Sequence, residues 1–264
     1  MILKDWLKKL IPEKLRPFVK KLFLRVVYFG NAYYCPVCKS RVRSWKPLGY
    51  DFPVIYEKQI VGGGIRNAMC PVCGSSDRVR LLYLFLINKT NLFTRRIKLL
   101  HIAPEDSLRE IIFKLKNVDY LTSDLDPGKV MEQMDITMIG YPENSFDAIL
   151  CNHVLEHIPD DRKAMRELYR VLKPGGWAIL QVPVSRVLEE TFEDFSITSP
   201  QEREKHFGQK DHVRIYGNDY IRQLTKAGFA VETFNWTLDT AFQNEKNPYG
   251  LNENETIFYC TKKV

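Results

Sequence analysis

The chain has 264 residues, 45% hydrophobic and 27% charged, the composition of a folded domain rather than a disordered chain. No run of about 18 apolar residues occurs, which excludes a membrane-spanning helix. The formal net charge of +7 is unevenly placed, with +6 on residues 1–30, +8 on residues 31–97 and −7 on residues 98–264; the basic front third faces either an anionic partner (nucleic acid, an anionic membrane surface, a phosphate-bearing substrate) or plain solvent.

The first predicted element is a basic amphipathic helix within residues 1–30. Leu15, Phe18, Val19, Leu22 and Val26 fall on one face, with Lys14, Lys21 and Arg25 elsewhere. Its best apolar run, LFLRVVYF, is broken by Arg25, and no small-residue cleavage site follows. It therefore does not read as a signal peptide, and a cytoplasmic location, peripheral at the inner face of the membrane, is the expectation. The alternative use of the apolar face is docking onto the chain's own domain or a second subunit.

Residues 31–76 contain two matched cysteine pairs, Cys35-Pro-Val-Cys38 and Cys70-Pro-Val-Cys73-Gly74. Each pair can place two thiolates on one tight turn, and Gly74 can take the left-handed backbone such a turn favours. Four sulfurs make a closed tetrahedral set suited to structural Zn²⁺, with no position left for water. Two disulfides or a redox dithiol are the alternatives; a reducing compartment and the duplication favour metal. The 31 residues between the pairs hold strand-like VIYEKQIV and a Gly62-Gly63-Gly64 run, the pattern of a zinc ribbon. Arg41, Arg43, Trp45, Lys46, Arg66, Arg78 and Arg80 are either a nucleic-acid surface or the polar skin of a small module.

From residue 77 to residue 264 strands and helices alternate. Ser75, Ser76 and Asp77 can cap a helix RVRLLYLFLIN. IKLLHIA is a buried strand, SLREIIFKLKN a helix, VDYLTSD a second strand, and a short third strand lies near MEQMDIT. FDAILCNH is a fourth strand, DRKAMRELYRVL an amphipathic helix stopped at Lys173-Pro174-Gly175-Gly176, and WAILQVPV a fifth strand. DYIRQLTKAGF is a helix, and AVETFNW with TIFYCTKK makes a final pair. Cys151 and Cys260 lie in apolar runs and read as buried thiols. Such alternation predicts an α/β fold, doubly wound around a mostly parallel sheet whose ligands sit at the carboxyl ends of the strands. That places chemistry at Ala103-Pro104-Glu105, at Asp124-Leu125, at Asp135-Ile136, where an apolar side chain follows a carboxylate, and at Asn152-His153. Asp124 stands 19 residues after Glu105, near the spacing at which an acid grips ribose hydroxyls.

The segment FDAILCNHVLEHIPDDRKAMRELYRVLKPGGWAILQVP resembles class I S-adenosylmethionine-dependent methyltransferases, most closely over residues 146–183. The resemblance implies a seven-stranded sheet with an antiparallel pair at one edge, preceded here by the zinc-ribbon module and the N-terminal helix. A zinc ribbon before this fold, with APE in place of the usual glycine turn, is similar to an uncharacterised bacterial subgroup, some members of which look as though they serve surface-polysaccharide modification. The resemblance also implies roles for matching positions. Ala103, Glu105 and Ser107 stand at the three glycines of the first turn, and His101 where the family has an acid. Asp124, with Leu125, matches the ribose site; Asp135, with Ile136, the adenine site; and Asn152 and His153 flank the methionine portion. Glu105 is expected to take the ammonium end. His101, on an apolar strand end, reads instead as a core histidine.

Residues 185–216 read as a lid over the substrate, dense in His206, Asp211, His212 and Arg214. Methyl transfer to a hydroxyl needs alignment and a proton acceptor. The expectation is that His212 or His153 is the base, that Asp211 or Glu156 orients it, and that Arg214 binds an acidic substrate group. The same residues could instead only fix the fold. The leading reading is methyl transfer to a saccharide or other small-molecule hydroxyl. The alternatives are an RNA methyltransferase that recognises RNA through the ribbon, and a non-catalytic scaffold with a decayed cofactor pocket.

Overall fold

The computed structural model describes residues 12–239 and 247–264; residues 1–11 of the expected amphipathic segment lie outside them. Helix α1 (Arg16–Val27) starts with a proline in its first turn, where a missing N–H costs nothing. It is fastened by Lys21 to Glu110 (2.7 Å) and by Arg25 to the Cys38 carbonyl (3.0 Å). Leu24 and Tyr28 pack inward, while Leu15, Phe18, Leu22, Phe23 and Val26 stay more than half exposed.

The cysteine-bearing segment consists of two small antiparallel pairs: β1 (Tyr33–Cys35) with β2 (Ser40–Val42), and β3 (Lys46–Leu48) with β4 (Arg66–Met69). Between them the strand-like VIYEKQIV departs from expectation. Its first half is helix α2 (Pro53–Glu57), started by proline, with Val54 and Ile55 buried against Phe207 and Ile215. Tertiary burial has overridden the β-propensity of Val and Ile here.

Helix α3 (Asp77–Lys89), capped by the Ser76 hydroxyl on the Val79 N–H (3.2 Å), joins this segment to the α/β body. The body continues with β5 (Ile97–Ile102), α4 (Asp106–Ile112), β6 (Val118–Asp124), β7 (Glu132–Gln133), β8 (Phe146–Asn152), α5 (Asp161–Val171) and β9 (Leu172–Gln181). An inserted segment holds β10 (Phe192–Glu193), α6 (Pro200–Phe207) and β11 (Arg214–Ile215); α7 (Tyr220–Lys226), β12 (Ala230–Asn235) and β13 (Thr256–Thr261) complete the described chain.

Seven strands form one sheet in the order β12-β13-β9-β8-β5-β6-β7, with only β13 antiparallel to its neighbours. Alternate strand residues go to opposite faces. Leu99, Leu150 and Ile179 share one core with α3 and α4, whereas Leu100, Ile149 and Leu180 share the other with α5 and α7. The sheet is thus wound on both sides, as expected. The first of these cores runs on without a break into Cys35, Val42, Trp45 and Cys70.

Two boundaries differ from the sequence reading. Helix α4 ends at Ile112, because the chain must return to pair Val118 with Ile97. The LKPGG run does not only stop α5: β9 already starts at Leu172, and residues 173–176 bulge between the Phe146–Leu172 and Ala148–Trp177 pairs. Gly175 takes φ +74 there and donates to the Lys262 carbonyl (2.8 Å).

Candidate active site

The strand register lines up the carboxyl ends of four parallel strands. Ile102 pairs with Ser123 on one side and Cys151 on the other, so Ala103 sits between Asp124 and Asn152; Asp124 pairs in turn with Gln133. Ala103 adopts φ +47, the left-handed backbone that glycine takes freely, and donates its N–H to the Ser123 carbonyl (2.8 Å). A non-glycine residue pays on the order of 1 kcal/mol for this conformation. Glu105 precedes α4 and accepts from Asn152 Nδ2 (3.2 Å) through one oxygen and meets His101 Nε2 (3.1 Å) through the other. His101 is fully buried, with its second nitrogen on Tyr120 Oη (2.9 Å), the core histidine that was expected. Burial pushes the Glu105 carboxyl up, but the hydrogen bond and charge of His101 outweigh it and hold it below the ordinary glutamate range. Asn152 Oδ1 is buried without a partner.

The other carboxylates expected at a cofactor follow along the same edge. Asp124 accepts from the Asp126 N–H (3.1 Å) and Asp135 from the Thr137 N–H (2.8 Å), each keeping a second oxygen outside those turns. Leu125 is exposed. Ile136, expected to face a ring, lies instead in the core with Met134 and Ile139, because its side of the turn points into the sheet. The exposed apolar side chain at this edge, next to Asp124, is Leu125.

Beyond Glu105 opens a cavity of about 540 Å³, bounded by Tyr50 and residues 62–64 of the cysteine segment, by His153, Glu156 and His157 of the body, and by His212 of the insertion. His153 also takes a left-handed backbone (φ +56) and donates its N–H to the Gln181 carbonyl (2.7 Å). Its Nδ1 is 3.4 Å from Glu156, and the Arg78 guanidinium lies 3.4 Å from both ring nitrogens. Glu156 is 1% exposed; burial raises its carboxyl, but the His153 hydrogen bond and the nearby His153, His212 and His157 charges bring it below the ordinary range. His212 is buried and its ring packs edge-on to His157 with centroids 4.7 Å apart; burial lowers its pKa to about 4, so the ring is neutral near pH 7.

Two expectations are corrected. Arg214 borders the cavity but is fully buried, and its guanidinium is already taken up by the Leu155, Ile158 and Pro159 carbonyls and by Glu193. Asp211 does not orient His212; it is exposed and meets His157 Nδ1 through its carbonyl (3.3 Å) and carboxylate (3.4 Å). His157 and Arg78 were not singled out as site residues. The HVLEH spacing, which returns His153, Glu156 and His157 to one turn, could have revealed His157; nothing local marks Arg78.

The insertion is an ordered wall. Phe207 and Ile215 pack with Val54 and Ile55, and β10 pairs with β11. Cavity and cysteine segment are therefore built together. Of the six basic residues singled out there, Arg66, Arg78 and Arg80 are engaged internally. Arg66 makes a two-pronged pair with Asp77 (2.9 Å twice), Arg78 donates to the Val61 carbonyl (2.8 Å), and buried Arg80 donates to the Tyr249, Ala68, Ser75 and Gly250 carbonyls over the Trp45 ring. Arg41 and Arg43 remain exposed.

The four cysteines converge. All four sulfurs lie within 4.8 Å of one another, with Cys35–Cys73 at 3.7 Å and Cys38–Cys70 at 3.8 Å. Gly74 (φ +78) closes the second turn, as expected; at the matching place in the first turn Lys39 adopts φ +56. Cys151 and Cys260 are fully buried thiols.

Residues 106–180 match the family model described as a methyltransferase domain. Over 63 residues the chain is 40% identical to a demethylmenaquinone methyltransferase of Listeria welshimeri, covering 24% of each protein. Over 131 residues it is 31% identical to a ubiquinone/menaquinone biosynthesis C-methyltransferase of Pseudoalteromonas translucida, covering 45% of this chain and 48% of that protein. The matches therefore span a quarter to a half of these relatives' own lengths. Among solved structures, the [4+2]-cyclase SpnF aligns with 71% of this chain and 82% of its own at 18% identity and a TM-score of 0.48.

Proposed function

We propose that this protein transfers a methyl group from S-adenosylmethionine to a hydroxyl of a saccharide or other small molecule held in the cavity. The observation that carries the reading is that Glu105, which holds Asn152, lines the same cavity as the paired His153 and Glu156. The residues fit the cofactor: the orphaned Asn152 Oδ1 and the Glu105 carboxylate suit its ammonium group, and Asp124 its ribose hydroxyls. Asp135 suits the adenine amine and Leu125 its ring face. When bound, the cofactor supplies an activated sulfonium methyl group.

The chain's own contribution is alignment and proton removal. His153, oriented by Glu156, accepts the acceptor hydroxyl proton; His212 does not, because its buried ring binds a proton only in acid. The RNA alternative keeps the exposed Arg41 and Arg43, while Arg66, Arg78 and Arg80 are engaged within the fold.

We assign structural Zn²⁺ to Cys35, Cys38, Cys70 and Cys73. Four thiolates around an ion with bonds of about 2.3 Å stand about 3.8 Å apart, the separation seen in two pairs here. We also infer that the exposed apolar residues of α1, beside the exposed Lys20, rest on an anionic membrane surface.

The test is calorimetric titration of the zinc-loaded protein with S-adenosylmethionine and S-adenosylhomocysteine, beside Asp124→Ala. Micromolar binding lost at least tenfold in the variant is expected and justifies screening acceptors. A folded, zinc-replete protein that binds neither compound overturns the reading in favour of a scaffold.

A further inference from the structure

We propose that Glu156, His157 and His212 form a second metal site, for a divalent transition-metal cation, at the wall of the cavity. One ligand atom from each of the three residues lies within 4.8 Å of the other two, and all three residues line the cavity. Two imidazoles and one carboxylate on one side of an ion, with the opposite side open, is a donor set that suits first-row divalent metals.

Three independent features point to a ligand here. Glu156 is 1% exposed; one of its oxygens meets His153, while Oε2 has no hydrogen-bond partner among the described residues. A buried carboxylate oxygen without a partner is costly, and a cation would satisfy it. Among the described residues, no hydrogen bond reaches the His212 imidazole, although the ring is 5% exposed. His157 meets the Asp211 carbonyl through Nδ1 at 3.3 Å; a carbonyl can only accept, so Nδ1 carries the proton and Nε2 is left with a lone pair. An outer partner that fixes the tautomer of an imidazole is a usual companion of metal-ligating histidine.

Bonds of about 2.1 Å place tetrahedral ligand atoms about 3.4 Å apart, so the cluster must tighten on binding. His157, 30% exposed, is the member with room to turn. The sulfur cluster and this one differ in kind. Four thiolates close a site, whereas this set leaves positions open toward the space in which the acceptor would sit. On the methyltransferase reading, the open positions would take the acceptor hydroxyl oxygen and ease loss of its proton to His153. The acceptor class that fits is one with two adjacent oxygens able to chelate, such as a vicinal diol. This last step rests on the methyltransferase reading; the metal site does not.

The experiment uses full-length protein with the cysteine site filled by zinc. Co²⁺ is titrated and followed by its visible d–d absorption, and Mn²⁺ by electron paramagnetic resonance. The expected result is one added ion per chain without a sulfur-to-cobalt charge-transfer band. Binding should weaken at least tenfold in each of His157→Ala, His212→Ala and Glu156→Gln, and stay unchanged in His206→Ala, which alters a histidine outside the cluster. Circular dichroism and melting establish that each variant is folded, and the half-exposed His157 gives one that keeps its core. No added ion in folded wild type, or wild-type affinity in both histidine variants, overturns the site. Ion binding in a protein that never binds S-adenosylmethionine keeps the site and removes the methyl-transfer reading.

Discussion

Replacing Arg214 by lysine separates the two roles that this residue could have. Its guanidinium spans the Leu155, Ile158 and Pro159 carbonyls on one side and Glu193 on the other. Lysine keeps the charge but has a single nitrogen with three hydrogens and no planar fork, so it can serve at most part of that set. Two lost charge-assisted bonds at about 1.5 kcal/mol or more each, with carbonyls left buried, predict a loss of about 3–4 kcal/mol. At roughly 2–3 °C per kcal/mol for a chain of this size, melting should fall by about 6–12 °C. The clamped segment carries Glu156 and His157, so cofactor affinity should stay near wild type while turnover and Co²⁺ binding suffer. The assay is a thermal melt paired with calorimetry for S-adenosylhomocysteine and the cobalt titration. Unchanged melting together with a raised KM for an acidic acceptor would return Arg214 to the substrate site and refute the clamp.

Four further outcomes are expected. Glu105→Gln should flatten the acid limb of stability: the folded carboxyl is held below its ordinary range, so its contribution is full at neutral pH and is lost only as pH falls through the depressed value, which melting from pH 7 to 3 measures. Ala103→Gly should raise stability by up to about 1 kcal/mol, less what the looser unfolded chain takes back, and leave cofactor affinity intact; a loss of stability would show that φ +47 is not strained there. Chelation, or Cys70→Ser, should release one zinc per chain and lower the melting temperature, because Cys35 and Cys70 lie in the same core as α3; metal analysis and melting report both. Flotation with anionic vesicles should fail after Phe18→Asp with Phe23→Asp, while neutral vesicles float neither protein; equal flotation of wild type and variant would refute membrane contact through α1.

The sheet could be read from the sequence because its strands obey rules that act locally. The runs IKLLHI and FDAILCN are apolar at nearly every position, as burial on both faces requires, and they are β5 and β8 almost residue for residue. Asp160 before α5 and Ser76 before α3 announce their helices by capping. What failed was set by distant packing. VIYEKQIV has strand composition, yet Ile55 gains its burial against Phe207, more than 150 positions later, and folds as helix to do so. Arg214 resembled a substrate anchor because an arginine in a polar insertion gives no sign that backbone carbonyls of residues 155, 158 and 159 will surround it. Charge misled in the same way: Arg66 and Arg80 count toward a basic surface in the sequence and lie against Asp77 and buried carbonyls in the fold.

The glycine-free turn has a physical answer in the same terms. Ala103 and His153 end neighbouring strands, and both hold a left-handed backbone without being glycine. Each donates its N–H across the sheet, Ala103 to Ser123 and His153 to Gln181, so the sheet itself holds the conformation that a glycine would adopt freely. Ala103 is the smallest residue that can stand there with a Cβ, and the turn after it carries Glu105, a carboxylate at the place where a glycine turn would offer only backbone. The site exchanges close backbone approach for a charged contact. A cofactor with an ammonium group tolerates that exchange, whereas a pyrophosphate, which needs the approach and is repelled by the charge, does not.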